Sequence, residues 1–173
     1  MNGLILGNIF SFLSAVCIAA SVIKKNKKHL VKWQIWDEVF CVFAHIAFGA
    51  WAALTTNSLS LFRNILSYRR KLNKRRAYWL LVLNIVIGLA VNNLGYIGWM
   101  PILATSTYTY YMYKTKNDQG MRYALILNLS LWFVHDLYIM AYPSAIMDVG
   151  LVIWTFVQAL KRMKQNKRAL SAA

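Results

Sequence analysis

Apolar runs of roughly 15 to 22 residues, long enough to cross a hydrocarbon layer of about 30 Å as helices, recur along the chain. Short basic clusters separate them. Barrel strands would alternate apolar and polar residues over about ten positions, and these runs do not alternate. The pattern therefore predicts helices over 3–23, 34–55, 57–70, 77–92, 95–113, 122–141 and 143–161. Within 57–70 a finer period is visible. Asn57, Ser60, Asn64 and Ser67 recur at intervals of three and four, one face of a helix, while Leu59, Phe62 and Leu66 mark another. The segment 143–161 carries a similar stripe of Asp148, Thr155 and Gln158.

Charge decides the number of crossings. Lys and Arg fall at Lys24 to Lys32, Arg69 to Arg76, Lys114 to Arg122 and Lys161 to Arg168, with Arg63 the sole exception. Seven crossings put all four clusters on one side of a bilayer. The opposite side then receives only the uncharged turns Thr56-Asn57-Ser58, Asn92-Asn93-Leu94-Gly95 and Tyr142-Pro143-Ser144. Basic residues accumulate in cytoplasmic loops, so the N-terminus is expected outside and the C-terminus inside. Trp33, Trp36, Tyr68, Tyr78, Trp79, Tyr111 and Tyr113 suit an inner interfacial belt, and Trp51, Tyr96, Trp99 and Tyr142 an outer one. No positive charge precedes residues 3–23 and five lysines follow, so this run is expected to stay as a first helix and not to be cleaved as a signal.

Composition agrees with a multi-pass membrane protein. A hydrophobic share of 59% and a mean hydropathy of +0.43 are wrong for a water-soluble surface. A net charge of +15 would suit nucleic acid. Because the clusters sit at helix ends, topology and contact with anionic lipid explain them, and no nucleic-acid partner is expected. Cys17 and Cys41 lie inside apolar runs and read as packing residues, with no disulfide, metal site or cofactor expected.

The chain is also self-similar. A shift of 90 residues lays Lys24 on Lys114, Lys32 on Arg122, Trp33 on Tyr123, His45 on His135 and Phe48 on Tyr138. A shift of 91 lays Asn57 on Asp148, Asn64 on Thr155, Ser67 on Gln158 and Lys71 on Arg162. The expected organisation is a three-helix repeat in 1–73, a linker helix in 74–94, a second three-helix repeat in 95–163 and a basic cytoplasmic tail in 164–173. An odd linker restores the direction of crossing, so the repeats are parallel. Parallel repeats are one transporter arrangement, with the binding site near the midplane between them.

Four segments carry a family resemblance: "LSLFRNILSYRR", "WMPILATSTYTYYMYKTK", "MRYALILNLSLWFVHDLYI" and "IMDVGLVIWTFVQALKRMKQNKR". Through them the chain resembles the YgjV-type bacterial inner-membrane protein family over most of its length. That family is in turn similar to the SWEET, PQ-loop and nicotinamide riboside (PnuC-type) transporters. The resemblance implies an all-α membrane protein with seven transmembrane helices in a SWEET-like 3+1+3 plan. The chain holds no Pro-Gln pair, so the PQ-loop motif does not carry over. Pro101 falls where the sugar-transporter relatives carry a hinge proline, but its repeat partner is Ser11, which removes a symmetrical proline gate.

Arg63 is the sharpest chemical signal, because about 9 Å of helix separates it from either end of 57–70. A central arginine costs about 2.5 to 3.5 kcal/mol on insertion scales, so it has a partner or a role. It can pair structurally with Asp136 or Asp148, snorkel from a tilted helix, or bind substrate. Its repeat counterpart is Trp154. A guanidinium from one half and an indole from the other would suit a carboxylate or phosphate on an aromatic or sugar body. Asn64 and Thr155 would add polar contacts, although such residues also hydrogen-bond helices together. His45 and His135 lie at matched depths, with Glu38 and Asn128 seven residues earlier on the same faces. They can bind substrate or shuttle protons. Asp136, Asp148 and Glu38 would serve a proton or charge relay, and Pro101 would let its helix bend.

An enzyme is not expected, since no Gly-rich phosphate loop, HExxH helix, GxSxG elbow or CxxC spacing occurs. The expected function is a facilitator or proton-coupled carrier for a small polar metabolite, in contact with membrane lipids and free to form a homo-oligomer. The alternative is a receptor or scaffold that binds a ligand without moving it, or recruits partners and anionic lipid through its basic face.

Overall fold

The computed structural model describes residues 2–23, 27–114 and 118–171. Among the described residues there are seven helices and no strand: α1 (Asn2–Ile23), α2 (Lys27–Phe48), α3 (Trp51–Tyr68), α4 (Lys74–Ala90), α5 (Trp99–Lys114), α6 (Asp118–Tyr138) and α7 (Tyr142–Ser171). Two stretches, Asn2–Ser21 and Tyr142–Lys161, are long and apolar enough to cross a bilayer.

The first and last of the three uncharged turns fall earlier than the apolar pattern suggests. The expected turn at Thr56-Asn57-Ser58 lies inside α3, and the chain instead reverses at Gly49, which adopts φ +67°. The amide of Ala50 donates to the His45 carbonyl at 3.1 Å and that of Gly49 to Ile46 at 3.2 Å, the Schellman closure of a helix end. Apolar periodicity runs on through a turn of this kind, because it needs a backbone angle and no polar residue. The expected turn at Tyr142-Pro143-Ser144 is likewise the start of α7. Its turn sits at Met140, φ +61°, with Ala141 donating to the Asp136 carbonyl at 2.8 Å. At the other end α7 runs to Ser171, so the basic segment expected as a separate tail continues the helix as far as that residue.

Side chains are distributed as hydrocarbon surroundings would sort them. Leu4, Ile5, Ile9, Phe12 and Val16 of α1, Tyr78, Trp79 and Val86 of α4, and Ile146, Ile153 and Phe156 of α7 are all exposed. The interior holds alanines such as Ala44, Ala53, Ala104 and Ala145 together with Ser11, Asn57, Asn64, Thr105 and His135. Small residues let helix backbones approach, and buried hydroxyls and amides bond across them, which is how helices associate in lipid.

Neighbouring helices pack in chain order, α7 closes back onto α1, and α3 meets α5 directly. Six helices thus form a ring. The seventh, α4, lies against α3 and α5. Asn73 caps it by accepting from the Arg76 amide at 2.9 Å. It docks through Asn84, which donates to the Ile102 carbonyl at 3.1 Å and to Ser106 Oγ at 3.0 Å. Gly88 permits the close approach, because a Cβ there would stand 2.9 Å from Ile102 Cγ1.

Candidate functional site

The six ring helices enclose a cavity of about 110 Å³. Ser14 of α1, Asp37 and His45 of α2, Arg63 of α3, Tyr108 of α5, Asp136 of α6 and Asp148 of α7 all reach it. The chain has five acidic residues, and four of them, Asp37, Glu38, Asp136 and Asp148, line this one space. The fifth is Asp118. In a protein of net charge +15 the acid is therefore concentrated where the helices converge.

Arg63 is 5% exposed and held by neutral acceptors. Its Nη1 donates to Thr109 Oγ1 at 2.8 Å, and its Nε and Nη2 both donate to Asn64 Oδ1 at 3.3 Å. Its guanidinium carbon lies 5.4 Å from the centre of the Tyr108 ring. Among the described residues no carboxylate oxygen comes within 4.0 Å of it. The structural pairing with Asp136 or Asp148 is therefore not made, and α5 positions the cation through a hydroxyl and an aromatic face.

On the opposite wall Ser14 donates to Asp37 Oδ1 at 2.6 Å and lies 3.0 Å from Cys41 Sγ. His45 Nδ1 is 2.8 Å from the Cys41 carbonyl, which can only accept, so this nitrogen carries the proton and Nε2 the lone pair. Asn57 Nδ2 stands 3.0 Å from the same Nδ1; with the proton on Nδ1 these are two donors, and the Asn57 amide would have to turn its Oδ1 inward to bond there. His135 is completely buried beside it, with ring centres 5.7 Å apart and Trp132 edge-on to it at 5.5 Å. His135 Nδ1 lies 3.1 Å from Asp136 Oδ1, while its Nε2 has no hydrogen-bond partner among the described residues.

Of the residues singled out in the sequence, Arg63, Asn64, His45, Asn128, Glu38, Asp136 and Asp148 come together around the cavity. His135 stands behind its wall. Thr155 is buried at 4% exposure without lining it. Trp154 is 55% exposed, on the outside of α7, because adjacent helical residues diverge by about 100° and Thr155 takes the inward position. The expected indole partner for Arg63 is thus absent, and Tyr108 supplies the aromatic face instead. Pro101 is the third residue of α5, in a first turn where a missing N–H breaks no helical bond, so it does not hinge the middle of that helix.

The two turns also refine the pairing of the histidines. Gly49 and Met140 hold equivalent places, and the carbonyls that close the turns belong to His45 and Asp136. Counted from these turns, Asp136 holds the place that His45 holds, and both line the cavity, which His135 does not.

Asp37, Tyr108 and Trp132 were not singled out, although each had a readable signal. Asp37 falls in the first turn of the helix expected from 34, where an acid is favourable, whereas α2 begins at Lys27 and places it in mid-helix. Tyr108 and Trp132 lie between the two aromatic belts, at a depth where interfacial anchoring does not account for them.

Comparison with curated proteins and with solved structures gives no match to either. The model of one family does match, over residues 5–167, and the chain thereby belongs to the YgjV family of bacterial inner membrane proteins (Imp-YgjV).

Proposed function

We propose that the chain is a carrier, working as a facilitator or coupled to protons, for a small polar solute with a positively charged end, bound in the cavity inside the helix ring. The observation that carries this reading is the gathering of Asp37, Glu38, Asp136 and Asp148 around one space that also holds Arg63. Ionisable side chains are costly in a membrane interior and mark substrate or ion pathways. Acid in this excess favours an ammonium or amidinium group, with Arg63 placed to meet an anionic end where the solute is zwitterionic. A volume of about 110 Å³ is well below the roughly 300 Å³ at which drug-sized ligands are enclosed, so the solute has few heavy atoms.

Movement between α1–α3 and α5–α7 would alternate access. Two seams join these units, α1 on α7 and α3 on α5, and a two-fold exchange of first and third helices interchanges them. Similar amide contacts support the same plan. Asn93 donates to the Gly49 carbonyl at 2.8 Å and Asn8 to the Met140 carbonyl at 3.1 Å, so an asparagine from outside the α2–α3 or α6–α7 pair secures each turn. The seven helices would cross the membrane with the N-terminus outside and the basic loops in the cytoplasm.

The test is uptake by sealed liposomes of small amines, guanidines, amino acids and carboxylates. Saturable uptake of a cationic or zwitterionic solute, lost in Asp148→Asn, is expected. Binding without flux would make the protein a receptor. Uptake confined to carboxylates would overturn the charge argument, and unchanged affinity in Arg63→Ala would remove Arg63 from the site.

A further inference from the structure

We propose that His45, His135 and Asp136 form a binding site for a divalent first-row transition cation, of the Zn²⁺ or Co²⁺ type, in the wall of the cavity. One ring nitrogen from each histidine and one carboxylate oxygen lie within 4.8 Å of one another, and all three residues are buried. Around an ion bound at 2.0–2.2 Å, ligand atoms stand about 3–3.5 Å apart. Ring rotations that draw the wider-spaced atoms in to that separation would complete the set.

His135 supplies an independent observation. Its side chain is 0% exposed, yet Nε2 has no hydrogen-bond partner among the described residues. Buried polar nitrogens are nearly always satisfied, so an orphan of this kind requires an explanation. A cation would provide one once the His135 ring turns about its Cβ–Cγ bond, because the nitrogen now facing Asp136 Oδ1, at 3.1 Å, is Nδ1. His45 is prepared in the usual manner of a metal-binding histidine. Its Nδ1–H donates to the Cys41 carbonyl at 2.8 Å, which fixes the ring and leaves Nε2 as the ligand atom.

The donor set selects the class of ion. Two imidazoles and one carboxylate suit Zn²⁺, Co²⁺, Ni²⁺ or Fe²⁺, whereas Ca²⁺ and Mg²⁺ take oxygen ligands almost exclusively. Three protein ligands leave a coordination position open, and His45 and Asp136 both face the cavity, where water can fill it. Asp37 and Asp148 line the same space and offer further carboxyl groups toward a dication. Arg63 is held toward Thr109 on α5, with no carboxylate paired to it among the described residues.

The test uses untagged, chelator-treated protein in detergent, titrated with Co²⁺ and followed by its visible ligand-field absorption, then with Zn²⁺ as competitor. One Co²⁺ per chain, displaced by Zn²⁺, is expected. Affinity should fall at least about tenfold in His135→Ala and in Asp136→Asn. Asp136→Asn keeps the side-chain shape, so it retains the test should His135→Ala fail to fold. Zn²⁺ should also raise the melting temperature of the wild type and not that of Asp136→Asn. Absence of the absorption band in folded wild-type protein would overturn the site, as would wild-type affinity in folded Asp136→Asn or His135→Ala. No flux is measured, so this site and the carrier reading stand or fall separately.

Discussion

Replacing Thr109 by Val tests whether α5 holds the arginine. The substitution keeps the side-chain shape and removes the hydroxyl that accepts from Arg63 Nη1 at 2.8 Å, and both residues are 5% exposed. In water-soluble proteins a hydrogen bond to a charged group contributes about 1.5–3 kcal/mol. Interhelical bonds in membranes average nearer 0.6 kcal/mol, because the separated helices find other partners. An ionised donor roughly doubles that lower figure, so about 1–2 kcal/mol is expected for this contact. For a chain of this size that corresponds to a fall in Tm of about 2–8 °C. Thermal unfolding followed by circular dichroism in detergent gives the number, and a double-mutant cycle with Arg63→Met isolates the pairwise part. Thr107→Val is the control on the same helix, since Thr107 Oγ1 donates only to its own Leu103 carbonyl at 2.7 Å and its loss should be nearly neutral. A coupling energy within the additivity scatter of about 0.3–0.5 kcal/mol would refute the anchoring of Arg63 by Thr109.

Two further outcomes follow from the backbone. Met140 sits at φ +61°, where a side chain other than glycine is strained, so Met140→Gly should raise Tm by a few degrees, about 1 kcal/mol. Gly49→Ala, at φ +67° with no atom within 4 Å of the added Cβ, should lower it by a similar amount; the same sign in both would refute the turn assignment. Gly88→Val should part α4 from Ile102 and cost about 1–3 kcal/mol, read as a lower Tm. An unchanged Tm in Gly88→Val would show that α4 is not seated at this contact.

Helix number and the inward placement of Arg63 were legible because both follow from what lipid penalises. A run of apolar residues must become helix to satisfy its backbone, and a charge in its middle must turn toward protein. The polar face of α3 was readable for the same reason: Asn57, Ser60 and Asn64 are all buried. Boundaries were not. Reversal at Gly49 needs only a positive φ and leaves the apolar run uninterrupted, which carried the expected end of α2 to 55, while reading the basic cluster Lys24 to Lys32 as a loop set its start seven residues late. That displacement concealed Asp37 and, with it, the acidic character of the cavity. A substrate with an anionic group followed from Arg63 and Trp154 considered alone. With Trp154 outside and four carboxylates within, the balance of charge favours a cation.

The one-residue difference between the two shifts, 90 and 91, has a chemical consequence. Matching at 90 would set His45 against His135, two like groups related by an approximate two-fold. The turns impose 91, which sets His45 against Asp136 and withdraws His135 behind them. The α2–α3 and α6–α7 pairs thus present an imidazole from one side and a carboxyl group from the other, with a second imidazole 3.1 Å from that carboxyl. Two histidines alone would offer a dication no compensating charge. Histidine opposite aspartate supplies a lone pair and a negative charge to the same point, which is what binding a metal ion or an ammonium group requires. Under the proposed function this asymmetry is what would make the cavity selective, and a chain with His45 and Asp136 exchanged should retain that selectivity while one with histidine at both positions should lose it.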